Sequence, residues 1–177
     1  MNRGEPTALI PEEAIRRRVG ELGRRISEDY APVENVHLVG VLRGSFIFPA
    51  DLSRALTIPR SVDFLAVASY GTAVAPKGPV RLVTDLRTDI AGKHVLIVED
   101  IVDTGHTLEY LTSLLAVHRP ASLKCCALLG KPPRRKKEVR IDYLGFEIPD
   151  VWVVGYDLDD RERYRALPCI GILPAES

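Results

Sequence analysis

Apolar residues follow two patterns along the chain, and each pattern predicts a different element. Near the N-terminus, Ile15, Val19, Leu22 and Ile26 are spaced by four, three and four residues, which puts them on one face of a helix that opens at Pro11. Elsewhere, short continuous apolar runs predict strands that are covered on both faces, as in a parallel sheet. The predicted strands are 36–41, 62–68, 80–83, a strand that begins at residue 94, 123–129 and 151–154.

Helices are predicted between these strands, at about residues 46–56 and 108–118. Strands that alternate with helices are typical of an α/β fold with a mainly parallel central sheet flanked by helices. The sequence has no internal repeat, and no linker divides it, so residues 1–177 are interpreted as one domain.

The segment 69–79, "SYGTAVAPKGP", has a different composition from its neighbours. It contains two glycines, two prolines and few large apolar residues, so it has little with which to bury itself. A segment of this kind between two strands predicts a mobile loop, and we expect it to act as a lid.

Composition and charge bear on the partners and the compartment of the protein. Lys plus Arg and Asp plus Glu each total 24, so the formal net charge is zero and favours neither a nucleic-acid nor a membrane partner. The longest basic run, residues 134–137, is interpreted as a solvated loop. Three cysteines lie in apolar surroundings and indicate buried thiols in a reducing compartment. No apolar run approaches the length of a membrane span, and we expect a soluble, cytoplasmic protein.

The stretch "HVLIVEDIVDTGHTL", residues 94–108, carries the candidate chemistry. A buried strand leads directly into Glu99, Asp100 and Asp103, and then into the small polar segment "DTGHT". Free backbone N–H groups at the start of a helix form a site for one phosphate. Adjacent carboxylates accept hydrogen bonds from sugar hydroxyls and ligate Mg²⁺. A ligand with a phosphate, a diol and a metal-bound diphosphate satisfies both halves, and phosphoribosyl diphosphate is such a ligand.

Four ordered blocks extend this interpretation to nearly the whole chain. They are "VGVLRGSFIFPADL", "VDFLAVASYG", "VLIVEDIVDTGHTL" and "GFEIPDVWVVGYDLDDRERYRALPCIG". With them the chain resembles the type I phosphoribosyltransferases, and among these the hypoxanthine (hypoxanthine-guanine) phosphoribosyltransferases of purine salvage. The resemblance implies the type I phosphoribosyltransferase fold, with a small hood region formed by the N- and C-terminal segments. It also implies a homo-oligomer, either a dimer or a tetramer.

The same resemblance implies a reaction. The enzyme would transfer the 5-phosphoribosyl group from phosphoribosyl diphosphate to N9 of hypoxanthine, guanine or both, giving IMP or GMP and pyrophosphate, with Mg²⁺ as cofactor. Its small-molecule partners would then be phosphoribosyl diphosphate and a 6-oxopurine.

Roles in the opening stretch are carried over from the resemblance. Glu99 and Asp100 would hold the ribose hydroxyls, and Asp103 would face the imidazole ring of the purine as general base or charge stabiliser. Asp103 also fits the plainer role of a helix N-cap, which does not exclude the first. The residues that would cradle the 5-phosphate are Thr104, Gly105, His106 and Thr107, with His106 acting through its backbone N–H.

Further residues that would bind phosphoribosyl diphosphate lie outside that stretch. Arg43 and Gly44 belong to "LRGS", which matches a pyrophosphate loop whose Leu42–Arg43 peptide bond is cis in some relatives. Ser69 and Tyr70 begin the expected lid, and Arg165 would reach the pyrophosphate. A solvated turn for Arg43, a surface loop at Ser69 and a surface position for Arg165 are the plainer interpretations.

The purine would contact a separate set of residues. Lys131 would donate to the 6-oxo group, Trp152 would stack on the base where the family usually has phenylalanine, and Val153 would contact the base through its backbone. Trp152 also fits a plain core position. Asp159 would lie beside the base and, with Glu99 and Asp100, would hold metal. Asp160 replaces a tyrosine common in the family and would add negative charge near the metal.

Two alternative functions stay open at this point. The first is an RNA-binding regulator on the same fold, like the pyrimidine-operon attenuators, for which the basic run at residues 134–137 is the only support. The second is a phosphoribosyltransferase that prefers xanthine.

Overall fold

The computed structural model describes residues 5–72 and 75–174, and for residues 69–72 and 75–79 it describes the backbone alone. Its helices are α1 (Glu12–Asp29), α2 (Ile47–Ala55) and α3 (His106–Ala116), with a 3₁₀ turn at Pro132–Arg134. The strands are β1 (Thr7–Ile10), β2 (Val36–Leu42), β3 (Arg60–Thr72), β4 (Ala75–Thr84), β5 (His94–Val102), β6 (Ser122–Gly130), β7 (Tyr143–Glu147), β8 (Val153–Val154) and β9 (Ile170–Ile172). None of these helices is long and apolar enough to cross a membrane.

Six strands form the central sheet in the order β4-β3-β2-β5-β6-β7. All neighbouring pairs are parallel except β3 and β4, which are antiparallel. The predicted α/β fold with a mainly parallel sheet is confirmed. The carboxyl ends of β2, β5 and β6 lie side by side at one edge of this sheet, where ligand sites of open α/β sheets form.

Strand β5 shows why the apolar runs are continuous. Leu96 and Val98 point to a core shared with α1 and α2, whereas Val95 and Ile97 point to a second core that includes Leu111 of α3. Because both faces are covered, both sets of side chains must be apolar. The same packing explains the stripe on α1, whose four apolar residues are each at most 4% exposed.

Arg18 on α1 contacts the main chain of β7. Its Nε donates to the carbonyl oxygen of Gly145 and its Nη2 to that of Leu144, each at 2.8 Å. The arginine therefore binds two main-chain acceptors of β7, the strand at one edge of the sheet.

The segment predicted as a loop, 69–79, has a different backbone from the one expected. Strand β3 continues to Thr72 and β4 begins at Ala75, with Ser69 opposite Val80 and Gly71 opposite Pro76. An antiparallel ladder satisfies backbone groups without large buried side chains, which is why composition misled the loop prediction. Residues 73–74 and the side chains of Ser69 and Tyr70 lie outside the description, and the lid stays a prediction.

The strand predicted at 151–154 belongs to another sheet. Only Val153–Val154 forms a strand, β8, and it joins β9 and β1 in a three-stranded antiparallel sheet. The N- and C-terminal segments that were expected to form a hood supply this small sheet. The sixth strand of the central sheet is instead β7, whose sequence "YLGFE" buries only Tyr143 fully and so gives a weak pattern.

Candidate active site

Two adjoining clefts lie at the carboxyl ends of β2, β5 and β6. The first, about 300 Å³, is lined by the β5–α3 loop and by the loop after β2, and we call it the phosphate-side cleft. The second, about 500 Å³, is lined by Lys131, Trp152 and Val153 together with Asp159 and Arg165, and we call it the purine-side cleft. The two clefts share Arg43, Gly44, Asp100 and Asp103 among their lining residues.

Most of the predicted site residues therefore lie together. Those lining the phosphate-side cleft are Arg43, Gly44, Glu99, Asp100, Asp103, Thr104, Gly105 and Thr107. His106 is exposed and lines neither cleft, and its Nδ1 lies 3.0 Å from Oγ1 of Thr104. Strand β3 lines the purine-side cleft with Val67 and Ala68, which directly precede Ser69 and Tyr70.

The loop after β2 approaches the acids closely. Its Leu42–Arg43 peptide bond is cis, the isomer that the resemblance allowed. A Cβ atom at Gly44 would lie 2.3 Å from Oδ2 of Asp100, so only glycine fits between this loop and the carboxylate. Ser45 is fully buried, and its hydroxyl donates to the carbonyl oxygen of Val98 at 3.0 Å, which ties the loop to β5.

Glu99 and Asp100 are adjacent carboxylates with little solvent around them. They are 5% and 8% exposed, and Oε1 of Glu99 has no hydrogen-bond partner among the described residues. Burial raises the pKa of Glu99 well above its ordinary range, and the neighbouring Asp100 raises it further. Burial also raises the pKa of Asp100 to about 7, although the Ile101 N–H donates to its Oδ1 at 2.6 Å. Hydroxyl donors or a cation would stabilise the charged form of such a pair.

Asp103 is held by a neighbouring arginine. Its Oδ1 lies 2.7 Å from Nε of Arg134, and Nη1 of Arg134 also donates to Oδ1 of Asp150 at 3.3 Å. The residue that caps α3 is Gly105, with φ +90° and no side-chain cap. The interpretation of Asp103 as a helix N-cap is therefore wrong, and its carboxylate stays available to the clefts.

The phosphate loop is packed against the segment after Lys131. The N–H groups of Lys136 and Lys137 both donate to the carbonyl oxygen of Thr104, at 2.9 and 3.1 Å. A Cβ atom at Gly105 would lie 3.1 Å from the carbonyl oxygen of Lys137 and 3.2 Å from Cδ of Arg135. The basic run thus packs against the phosphate loop, although none of its four residues is buried and Lys136 is exposed, so the interpretation of it as a solvated loop is confirmed only in part.

The purine-side cleft has one buried cation. Lys131 is 6% exposed, and its Nζ donates to the carbonyl oxygen of Val151 at 2.7 Å. Burial lowers the pKa of Lys131, and the carboxylates of Asp103 and Asp150 oppose that shift. The contact fixes the segment that leads into Trp152, which is 36% exposed and therefore has surface available for stacking.

The arginines expected at the pyrophosphate are paired with carboxylates. Nη2 of Arg165 lies 2.7 Å from Oδ1 of Asp159, and Nη2 of Arg43 lies 3.0 Å from Oε1 of Glu162. Asp160 is 4% exposed, pairs with Arg163 and does not line either cleft. The extra negative charge predicted near the metal is therefore directed elsewhere.

The expected metal ligands are not gathered into one group. Within residues 5–72 and 75–174, no set of three or more His, Cys, Asp or Glu side chains is arranged to hold a metal ion. Glu99, Asp100 and Asp159 thus do not form a preassembled site. Mg²⁺ commonly uses one or two carboxylates together with substrate phosphates, and the unpartnered Oε1 of Glu99 beside Asp100 fits that mode.

Two residues of the site were missed at the sequence level. Asp157 is fully buried, and its carboxylate accepts from the N–H groups of Ile47 and Phe48 at 2.8 to 2.9 Å, which fixes the start of α2 behind the loop after β2. Arg134 is the other. Neither had a local signal, because each partner lies on a different segment of the chain.

Comparison with known proteins relates this site to a family. The family model described as "Phosphoribosyl transferase domain" matches residues 7–161. The chain is 46% identical to hypoxanthine phosphoribosyltransferase from Haemophilus influenzae, over 97% of each chain. It is also 46% identical to hypoxanthine-guanine phosphoribosyltransferase from Dictyostelium discoideum, over 95% of each. A crystal structure of a hypoxanthine-guanine phosphoribosyltransferase from Bacillus anthracis superimposes with a TM-score of 0.90 at 42% identity, covering 96% of this chain and 99% of that one.

Proposed function

We propose that this chain, which belongs to the phosphoribosyltransferase family, is a purine salvage enzyme. Within that family it groups with the hypoxanthine and hypoxanthine-guanine members. The resemblance drawn from the sequence is confirmed by these comparisons. The reaction is transfer of the 5-phosphoribosyl group from phosphoribosyl diphosphate to N9 of a 6-oxopurine, with release of pyrophosphate. The observation that carries the proposal is that two clefts of different character meet at Asp100 and Asp103.

The phosphate-side cleft would take the sugar phosphate. Backbone N–H groups of residues 104–107 bind the 5-phosphate at the start of α3, where the helix dipole favours an anion. Glu99 and Asp100 accept hydrogen bonds from the ribose hydroxyls, which supplies donors to carboxylates that burial otherwise drives toward protonation. Arg43, Gly44 and Arg165 face the pyrophosphate.

The purine-side cleft would orient the base. Trp152 stacks on the purine, the backbone of Val153 contacts its edge, and Lys131 donates to the 6-oxo group. A lysine donates but does not accept, so it favours an oxo group over the amino group of adenine. Asp159, paired with Arg165, lies at the same side.

Positioning carries most of the catalysis in this proposal. N9 of the base attacks C1 of the ribose as the bond to pyrophosphate breaks, and the ribosyl carbon gains oxocarbenium character without a covalent bond to the enzyme. Asp103 accepts the proton of the imidazole ring or stabilises the positive charge that develops there. Glu99 and Asp100 would hold Mg²⁺ together with the diphosphate, and the bound ion would supply neutralisation of charge on the leaving group.

The structure weighs against the RNA-binding alternative. Arg134 is paired with Asp103 and Asp150, and Lys137 with Glu109, so carboxylates neutralise part of the basic run. The base panel described below distinguishes a preference for xanthine from one for hypoxanthine or guanine.

We also propose that the enzyme is a cytoplasmic homo-oligomer, a dimer or a tetramer. Val62 and Phe64, on one face of β3, are 44% and 36% exposed, and Phe46 before α2 is 45% exposed. Large apolar side chains exposed in this way favour association with a second copy. The three free cysteines fit a reducing compartment. Light scattering on the purified protein measures the oligomeric state, and a monomer at micromolar concentration would contradict the proposed homo-oligomer.

A base panel tests the proposed function. Hypoxanthine, guanine, xanthine and adenine are each supplied with phosphoribosyl diphosphate and Mg²⁺, and pyrophosphate release is followed, with reactions lacking the base or containing a chelator as controls. We expect release with hypoxanthine, guanine or both, and little with adenine. Release with xanthine alone would support the second alternative, and no release with any base would refute the proposal.

A further inference from the structure

Arg134 connects three segments of the site that are far apart in the sequence. Its Nε lies 2.7 Å from Oδ1 of Asp103 on the phosphate loop, and its Nη1 donates to Oδ1 of Asp150 at 3.3 Å. Asp150 lies two residues before Trp152 on the purine side. The arginine itself follows Lys131 by three residues, and the Lys131 Nζ contacts Val151 O in the same segment as Asp150. One guanidinium thus spans from the phosphate loop to the purine wall.

The contact with Asp103 is sheltered from solvent. The side chains of Arg134 and Asp103 are 38% and 37% exposed as wholes, but Nε of Arg134 and Oδ1 of Asp103 are themselves buried. Neither atom has a hydrogen-bond partner of normal geometry among the described residues, so their 2.7 Å contact is an ion pair and not an aligned hydrogen bond. A charge pair whose contacting atoms exclude water is screened less than an open surface pair. The pairing engages one oxygen of Asp103 and leaves the other uncommitted by this contact.

The planar fork of arginine is what allows this arrangement. Guanidinium presents several N–H donors at fixed angles and can address two carboxylates at once, whereas an ammonium group is a point charge. The backbone of the same loop already contacts the phosphate loop, because Lys136 and Lys137 donate to Thr104 O. Those bonds fix the main chain and leave the orientation of the Asp103 side chain to Arg134.

We propose that Arg134 is the positioning residue for Asp103, holding its carboxylate at a set distance from the purine wall through the bridge to Asp150. This inference rests on the proposed function, in which Asp103 acts at the imidazole ring of the base. Arg134 touches neither reactant in this scheme, and it acts only through the carboxylate that it orients.

The test is a double-mutant cycle with Arg134→Gln and Asp103→Asn, measured by pyrophosphate release at saturating and limiting substrate. A misplaced catalytic group costs up to about a hundredfold, so Arg134→Gln should lower kcat about tenfold to a hundredfold, with KM for phosphoribosyl diphosphate nearly unchanged. In the Asp103→Asn background the same substitution should have no further effect, because its target is gone. A role in stability alone would lower the melting temperature and give additive losses.

Three further variants make the result specific. Arg134→Lys keeps the charge but cannot span both carboxylates, so it should restore kcat only in part. Asp150→Asn breaks the distal arm alone and should lower kcat by about twofold to fivefold. Arg140→Gln is the matched control, because Arg140 is 84% exposed in its side chain, pairs with Asp142 at 2.7 Å and lines neither cleft. It should leave kcat and both KM values unchanged.

The outcomes separate this inference from the function on which it rests. A wild-type enzyme that is active, with Arg134→Gln within twofold of it or with equal losses in both backgrounds, overturns the positioning role alone. If Arg134→Gln does not fold, full activity in both Arg134→Lys and Asp150→Asn overturns it, and graded losses in the two support it. A folded wild-type protein that is inactive with every base overturns the proposed function and this inference together.

Discussion

The phosphate-side and purine-side clefts adjoin each other but are built in different ways. Nine residues of the ten-residue stretch 99–108 supply most of the first, on a single unit of strand, loop and helix. The second is assembled from the loop after β2, from the middle of β3, from the ends of β5 and β6 and from the segments around Trp152 and Arg165. Local backbone geometry therefore fixes the first cleft, whereas long-range contacts fix the second.

This difference determines which substitutions disturb each cleft. The phosphate loop depends on glycine conformations and helix N–H groups, which a change of backbone disturbs. The purine wall depends on side-chain bridges, such as Lys131 to Val151 O at 2.7 Å, which a change of side chain disturbs. Substitutions in the phosphate loop should therefore change mainly KM for phosphoribosyl diphosphate, and substitutions in the purine wall should change mainly KM for the base.

Asp103 lines both clefts, so removing its charge should not affect one substrate separately from the other. Asp103→Asn keeps the size of the side chain but loses the general base, so we expect kcat to fall by about 10²- to 10⁴-fold, with the circular dichroism spectrum unchanged. Steady-state kinetics with both substrates check this. Turnover at the wild-type level would refute the role assigned to Asp103.

Lys131→Ala should affect the purine side alone. Loss of a hydrogen bond from a charged donor costs about 1.5 to 3 kcal/mol, so KM for the base should rise by about tenfold to a hundredfold. KM for phosphoribosyl diphosphate should change little. Lys136→Ala is the control, because Lys136 is exposed and lines neither cleft. Equal losses for both substrates would argue against the assignment of Lys131 to the base.

Gly105→Ala should affect the phosphate side in the complementary way. Its φ of +90° and a Cβ position 3.1 Å from Lys137 O make alanine strained there, so KM for phosphoribosyl diphosphate should rise about tenfold, with a smaller change for the base. Gly92→Ala is the matched control, because Gly92 also has positive φ, +69°, but nothing within 4 Å of a Cβ. It should cost stability and leave both KM values unchanged.

The smallest effect should come from His37, which is outside both clefts and 1% exposed. Burial lowers the pKa of His37 from 6.5, with Lys93 lowering it and Asp63 opposing. Since the unfolded state then binds the proton more readily, stability should fall as pH drops from about 7 to about 5. The free energy of unfolding, measured by urea denaturation across that pH range, should depend less steeply on pH for His37→Asn than for the wild type. Equal slopes would mean that His37 contributes nothing to the pH dependence.

The same contrast explains what the sequence could predict. The positions of most strands along the chain, the buried strand β5 and the acids after it follow from local patterns, and the structure gathers Glu99, Asp100 and Asp103 in one cleft. Asp157 at the start of α2 and Arg134 beside Asp103 are paired across 109 or 110 residues and across 31, and no periodicity records such partners. The orientation of Asp160 could not be predicted from its residue type, because it is set by a local turn in which Asp160 pairs with Arg163.

Arg18 affects how this molecule behaves among copies of itself. Strand β7 is an outer strand of the sheet, and outer strands expose main-chain groups that can pair with a strand from another chain. Successive carbonyl groups of a strand point to opposite sides, so one of the two oxygens bound by Arg18, those of Leu144 and Gly145, faces away from β6. By occupying that acceptor, a charged side chain on the first helix makes β7 a poorer partner for a strand from another chain.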